Sequence, residues 1–232
     1  MKTLGLIGGM SWESTVPYYV EINRAVKERL GGLHSAPLVL WSLDFHDVAR
    51  RMRAGEWGAV GETLAGTARA LEGAGAELLL LCSNTLHCVA GAVENAVSLP
   101  LLHIADPAGA ALRSAGCSTV GLLGTRFTME QAFYRDRLRE RHGIEVLTPP
   151  EADRALVDRV IFDELCRGEL RPESRAEYRR VMAGLVARGA AAILLACTEI
   201  ALLVRAEDAT VPLFDTGQLH ARAAAARALE ES

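Results

Sequence analysis

Aromatic side chains are scarce in this sequence, 5% of 232 residues, and a formal net charge of −4 with arginines spread through both halves leaves no basic stripe. Nucleic-acid surfaces need stacking rings and a positive track, so no nucleic-acid partner is expected. No apolar run approaches the ~18–20 residues that span a bilayer, so no membrane partner is expected either. The five cysteines are an odd number without a Cys-x-x-Cys pair, and the opening MKTLGLIGG enters a strand-like run with no secretory signal pattern. These features predict reduced thiols and a cytoplasmic location. Cys82, His87 and Cys88 fit no zinc spacing, so no metal site is expected. The Gly8-Gly9-Met10-Ser11 turn lacks the full GxGxxG fingerprint and has no acidic partner about 20 residues on, which argues against a dinucleotide. Ser83 with His87 four residues later lacks the GxSxG elbow and an orienting acid, which argues against a serine hydrolase.

What is present is a chain 50% hydrophobic and rich in small residues, including 21 glycines, as suits helices packed closely on a sheet. Lys2–Gly8, Pro37–Leu43, Gly75–Leu81 and Pro100–Ile104 read as strands. Ser14–Leu30, Ala59–Gly73, Leu86–Val97 and Pro107–Ser114 read as helices, with Gly31-Gly32 stopping the first. Asp47–Arg53 is a basic segment whose arginines form a solvated face or send one guanidinium to an acidic substrate.

From Ser118 the same order begins again. Thr119–Glu130 answers the first strand and its loop, Ile144–Leu147 the second strand, and Val211–Asp215 answers Leu99–Leu102. Pro149–Glu173 is an excess region. Gly189–Glu199 lies without a gap on Gly75–Thr85, which matches Ser83 to Cys197, Asn84 to Thr198 and Thr85 to Glu199. The fold class predicted is α/β, with two pseudo-symmetric lobes, each a small parallel sheet flanked by helices, and an active site in the cleft between them. The first lobe is residues 1–105, joined by a C-terminal helix at 216–232, and the second is 106–215. Ligands in such sheets bind beyond the carboxyl ends of the strands, which would set Ser83 and Cys197 on opposite walls.

Cys197 at a strand end is either a buried apolar filler or a partly exposed thiol whose thiolate is favoured by backbone N–H groups at a helix start. Cys82 alternates to the other side of its strand and reads as packed, as do Cys88 and Cys117. Ser83, Asn84 and Thr85 read as helix caps, as donors to a carboxylate, or as both. Thr198 has the same double reading, and Glu199 can equally answer the helix dipole.

The segments GLIGGMSWEST, GGLHSAPL, CSNTLH, LHIADP, LLGTRFTMEQ and ACTEI, spread over nearly the whole chain, resemble those of the aspartate/glutamate racemase family, the pyridoxal-independent amino-acid racemases, in particular its broad-specificity bacterial branch. The resemblance implies an amino-acid substrate, no cofactor and a homodimer. Most members carry a Cys before Asn-Thr in the first lobe and another before Thr-Glu or Thr-His in the second. Carried over, these positions are Ser83 and Cys197, so the first thiol is replaced by a hydroxyl. Aspartate-specific relatives tend to carry a Lys where Cys166 stands here, which points away from strict aspartate specificity and leaves Arg167 or Arg50–Arg53 as receptors for the distal carboxylate.

Removing an α-hydrogen without pyridoxal requires donors around the substrate carboxylate, whose charge grows in the transition state. The expected catalytic residues are Cys197, which abstracts the α-proton, and Ser83, which reprotonates the opposite face. A hydroxyl is a poor base, so the reaction should run faster from the L-isomer. Asn84, Thr85 and Thr198 are the expected carboxylate donors, Met10, Ser11 and Thr125 line the mouth, and Glu199 completes the substrate-binding group. Two other readings need one good thiol or none: an arylmalonate-type decarboxylase, and a catalytically idle amino-acid-binding protein.

Overall fold

The computed structural model describes residues 1–230, so Glu231 and Ser232 of the expected C-terminal helix lie outside the described residues. Two compact units are present: Met1–Ile104 together with the segment from His220 onward, and Ala105–Leu219.

The first unit runs β1 (Leu4–Gly8), α1 (Trp12–Leu30), β2 (Leu38–Ser42), α2 (Phe45–Arg53), α3 (Trp57–Gly73), β3 (Leu78–Leu81), a 3-10 turn (Thr85–Val89), α4 (Ala90–Glu94) and β4 (Leu101–Leu102). The second runs α5 (Ala105–Ser114), β5 (Thr119–Gly124), α6 (Arg126–Glu130), α7 (Ala132–His142), β6 (Glu145–Leu147), α8 (Glu151–Asp163), a 3-10 turn (Leu165–Arg167), α9 (Pro172–Ala187), β7 (Ala192–Ala196), α10 (Ile200–Leu203), a 3-10 turn (Ala206–Asp208) and β8 (Leu213–Asp215). The division between units falls inside the next helix, α11 (Thr216–Leu229). Each unit has a four-stranded sheet, ordered β2-β1-β3-β4 and β6-β5-β7-β8, with every pairing parallel. β1, β3 and β7 are apolar runs without alternation because their residues are buried throughout.

The two sheets share one register. Leu4 pairs with Leu78 and Ile7 with Leu81, while Val120 pairs with Ala192 and Leu123 with Leu195. Leu79 meets Leu101, and Ile193 meets Leu213. These are the partners that the ungapped repeat requires, so Ser83 and Cys197 occupy equivalent positions past equivalent central strands.

Strand alternation sorts the core. In the first unit Leu78, Leu80 and Cys82 join Leu4, Leu6, Tyr18 and Ile22 in one cluster, closed by Ala221, Ala224, Ala225 and Ala228 of α11. Those alanines recur at helical spacing and let the helix come close to the sheet. Lys2 N–H donates to the Ala228 carbonyl at 2.8 Å. Beside them His220 Nε2–H donates to the Leu102 carbonyl at 2.8 Å, leaving Nδ1 to accept from the Tyr18 hydroxyl at 3.0 Å.

One helical expectation differs. Leu86–Val97 is a 3-10 turn followed by the five-residue α4. The Ser83 carbonyl, which an α-helix would offer to the His87 N–H, instead takes the His87 ring Nδ1–H at 2.7 Å, and the His87 N–H falls back to the Asn84 carbonyl at 3.2 Å. The excess region Pro149–Glu173 holds α8, which follows β6 as α2 follows β2 and is 13 residues long against 9.

Candidate active site

In the first unit the β1 strand ends in a loop that only glycine can open. Gly9 has φ +87°, and a Cβ there would stand 2.3 Å from the Leu43 carbonyl oxygen. The turn is pinned by Thr15, whose Oγ1 accepts from Gly9 N–H at 2.9 Å and donates to the Ser11 carbonyl at 2.7 Å. Met10 and Ser11 are thereby buried, at 4% and 2% exposure.

Ser83 is buried beyond β3, and its Oγ sits 3.5 Å from the Leu86 N–H, a weak capping contact. Asn84 and Thr85 are buried in the same turn, and the Asn84 side chain makes no capping bond to it. His87 holds the turn from inside: with Nδ1–H on the Ser83 carbonyl, its Nε2 accepts from Ile104 N–H at 3.2 Å. Both ring nitrogens are thus committed to backbone, and neither is directed to the Ser83 hydroxyl. Cys82 lies in the core, where burial pushes its thiol far up, and burial pushes the Cys88 thiol up to about 11. Arg51 of α2 is tied to α3, donating to Thr63 Oγ1 at 3.1 Å, and Arg50 and Arg53 are exposed.

In the second unit Thr125 caps α6, its Oγ1 accepting from Thr128 N–H at 3.3 Å. Cys197 follows β7 directly and belongs to the core cluster of this unit with Leu165, Tyr178 and Met182. Its Sγ lies 2.9 Å from Glu199 Oε2, and the Thr198 hydroxyl donates to the same oxygen at 3.0 Å. Glu199 itself is 2% exposed. Burial first, and the Glu199 charge second, push the Cys197 thiol well above its usual value. This corrects the expectation of a thiolate favoured by a helix start: the thiol is buried, and α10 has only four residues. The backbone N–H of Glu199 works in the opposite, lowering direction and is outweighed.

The 3-10 turn carrying Cys166 packs on α10, and Cys166 is close enough to Cys197 to act on its ionisation, while Cys197 in turn helps to raise the Tyr178 hydroxyl, whose main cause is burial. Tyr178 spends its own hydroxyl on the Val157 carbonyl at 3.0 Å. Arg167 is exposed. Sequence reasoning missed the thiol–carboxylate contact and the His87 clamp; a Cys-x-Glu spacing at a strand end was the available signal for the first. No cluster of metal-ligating side chains occurs among the described residues.

The sequence profile of the Asp/Glu/Hydantoin racemase family matches residues 7–224. A crystal structure of a candidate Asp/Glu racemase from Yersinia pestis is similar over 99% of this chain and 100% of that one, at 53% identity and a TM-score of 0.91. An aspartate racemase homologue from Pyrococcus horikoshii is similar over 99% and 100%, at 32% identity and a TM-score of 0.84. The aspartate racemase of Picrophilus torridus, at 21% identity, a TM-score of 0.76 and coverage of 98% and 94%, shares the fold.

Proposed function

Because the chain belongs to the Asp/Glu/Hydantoin racemase family, we propose that this amino-acid racemase acts on aspartate or glutamate without pyridoxal, with Cys197 removing the α-hydrogen and Ser83 returning a proton to the opposite face. The observation that carries this reading is the equivalence of Ser83 and Cys197 in two sheets of one register, with a thiol at one strand end and a hydroxyl at the other. A carbanion at Cα is stabilised by spreading charge into the substrate carboxylate, so donors around that carboxylate matter more in the transition state than in the ground state. Asn84, Thr85 and Thr198 are assigned that role, with Met10, Ser11 and Thr125 shaping the entry.

The two ends are chemically unequal. A thiol with an ordinary value of ~8.5 is a usable base once ionised, whereas a serine hydroxyl is not, so abstraction at Cys197 is assigned to the L-isomer and the reverse direction is slow. A protonated, buried Cys197 also fits a one-thiol decarboxylase, in which the thiol would protonate a carbanion after carbon dioxide leaves. The two readings part in deuterated water. Racemisation gives α-deuterium and the opposite isomer from L-aspartate or L-glutamate, and both are lost in Cys197→Ala. No exchange on any amino acid, with carbon dioxide released from an aryl malonate, would replace the racemase by the decarboxylase.

We also assign the protein to homodimers in a reducing, cytoplasmic compartment. Support for pairing comes from α1, where Trp12, Val16, Tyr19 and Val20 form an exposed apolar stripe at helical spacing, with Trp41 exposed on the edge strand β2. No disulfide joins the cysteines among the described residues, and none of the described helices is long and apolar enough to cross a membrane.

A further inference from the structure

In the first unit α2 and α3 enclose a cavity of about 150 Å³ beside the carboxyl end of the edge strand β2. Asp47 and Arg51, one turn apart on α2, line it opposite Val60, Thr63 and Leu64 of α3, and Asp44 stands at its rim. Val60 and Leu64 are buried and form an apolar floor. The charges around that floor are held apart by the fold. Arg51 is drawn to the α3 side, where its Nη1 donates to the Ala59 carbonyl at 3.3 Å and to Thr63 Oγ1 at 3.1 Å. Asp44 is held at the start of α2, where its Oδ1 accepts from the His46 N–H at 3.0 Å. Among the described residues Arg51 makes no ion pair with Asp44 or Asp47, although all three line one cavity.

A fixed cation on one wall, carboxylates on the other and apolar surface between them are complementary to a molecule that carries both charges on one carbon. A simple anion would meet the two aspartates, and a metal ion would meet Arg51, each at a cost in like-charge repulsion. We propose that this cavity binds a small aliphatic amino acid as its zwitterion. The α-carboxylate takes the Arg51 N–H groups that α3 does not use, the ammonium sits with Asp44 and Asp47, and the side chain rests on Val60 and Leu64. A cavity of this volume accommodates benzene, a ligand of roughly six heavy atoms, which is the size of alanine. The site is additional to the one assigned to Ser83 and Cys197, and its existence does not depend on the racemase reading. Leu43 connects it to the turn after β1. That residue lines the cavity, its N–H donates to the Gly8 carbonyl at 3.0 Å, and its carbonyl oxygen would stand 2.3 Å from a Cβ on Gly9. An occupant packed on Leu43 therefore bears on the turn that buries Met10 and Ser11, which makes the cavity an effector site.

The test uses 2-aminoisobutyrate, an amino acid without an α-hydrogen, so that α-proton chemistry does not consume the probe. Full-length, isotope-labelled protein is titrated with it, and separately with isobutyrate and isopropylamine, which keep the two methyl groups but carry one charge each. Backbone amide signals are followed by NMR. Saturable shifts at Asp47 and Thr63 are expected with the zwitterion, accompanied by a shift at Gly9, and neither singly charged probe should match them at about tenfold higher concentration. Asp47→Asn and Arg51→Gln should each weaken binding about tenfold or more, the loss of one charge-assisted hydrogen bond. No saturable shift, an equal response to the singly charged probes, or unchanged affinity in Asp47→Asn overturns the proposal. So do shifts confined to Ser83, Asn84 and Thr85, because they put the probe in the substrate site. Shifts at Asp47 and Thr63 that leave Gly9 unmoved refute the effector role. Should Arg51→Gln not fold once its contacts to α3 are gone, Asp47→Asn, at an exposed position, decides by itself.

Discussion

Asp106 offers a perturbation whose size can be worked out from the coordinates. It stands in the first turn of α5, and its two carboxylate oxygens accept from Arg137 Nε at 2.7 Å and Nη2 at 2.6 Å. The side chains are 30% and 22% exposed, so the pair is partly shielded. Burial works against the charge of Asp106, but the Arg137 hydrogen bonds and charge, helped by His142 and Arg141, outweigh it and hold the carboxyl below its ordinary range. Charge-assisted bonds of this kind contribute roughly 1.5–3 kcal/mol, and Asn at 106 would keep one acceptor, so Asp106→Asn should cost about 1–2 kcal/mol. For a chain of this size that is a fall in Tm of about 2–8 °C.

The sign with pH follows from linkage. A carboxyl depressed on folding contributes stability that is present above its unfolded value of about 3.9 and is lost as pH falls through the folded value. Wild type and Asp106→Asn should therefore differ fully at pH 7 and converge as acid protonates Asp106. Urea unfolding at pH 7, 5 and 3.5 measures this. Equal stability at pH 7, or a gap that stays undiminished at pH 3.5, would refute the reasoning.

Ser83→Cys should speed α-deuterium exchange from D-aspartate or D-glutamate relative to the L-isomer, as read by NMR in deuterated water; an unchanged D to L ratio would show that the hydroxyl is not what slows that direction. Gly9→Ala, with φ +87° and the Leu43 carbonyl 2.3 Å from the new Cβ, should cost about 2 kcal/mol or more and lower turnover by displacing Met10 and Ser11, measured by urea midpoint and exchange rate. Tyr18→Phe removes the donor to His220 Nδ1 at 3.0 Å and should cost roughly 1–2 kcal/mol in the same unfolding assay. Trp12→Glu combined with Tyr19→Glu should convert a dimer to a monomer in sedimentation velocity, without lowering Tm by more than a few degrees, since both rings are exposed in the single chain.

The strands were legible because burial on both faces leaves short apolar runs that nothing else in the chain imitates. The ungapped alignment of Gly75 on Gly189 foretold a pairing register as well as an outline, since Leu81 and Leu195 do meet equivalent partners. The turn after Ser83 was not legible as 3-10, because helical periodicity says nothing of a histidine ring competing for a backbone carbonyl. The state of Cys197 was misread for a related reason. Its position after a strand was correct, but whether a strand-end thiol meets backbone N–H groups or a carboxylate two residues on depends on how the chain turns over those two residues. LHIADP is legible as a motif, yet the partner of its aspartate, Arg137, lies on a different helix and leaves no local trace.

The break in the first unit at Ile104 bears on how the protein is made. Emerging from the ribosome, residues 4 to 102 arrive with one flank of their sheet lacking its cover, since Ala221, Ala224, Ala225 and Ala228 are translated more than a hundred residues after Leu102. Ala105–Leu219, by contrast, is one uninterrupted stretch. The half begun first is therefore the last to have all its parts, because the alanines that cover its apolar flank are translated after Leu219.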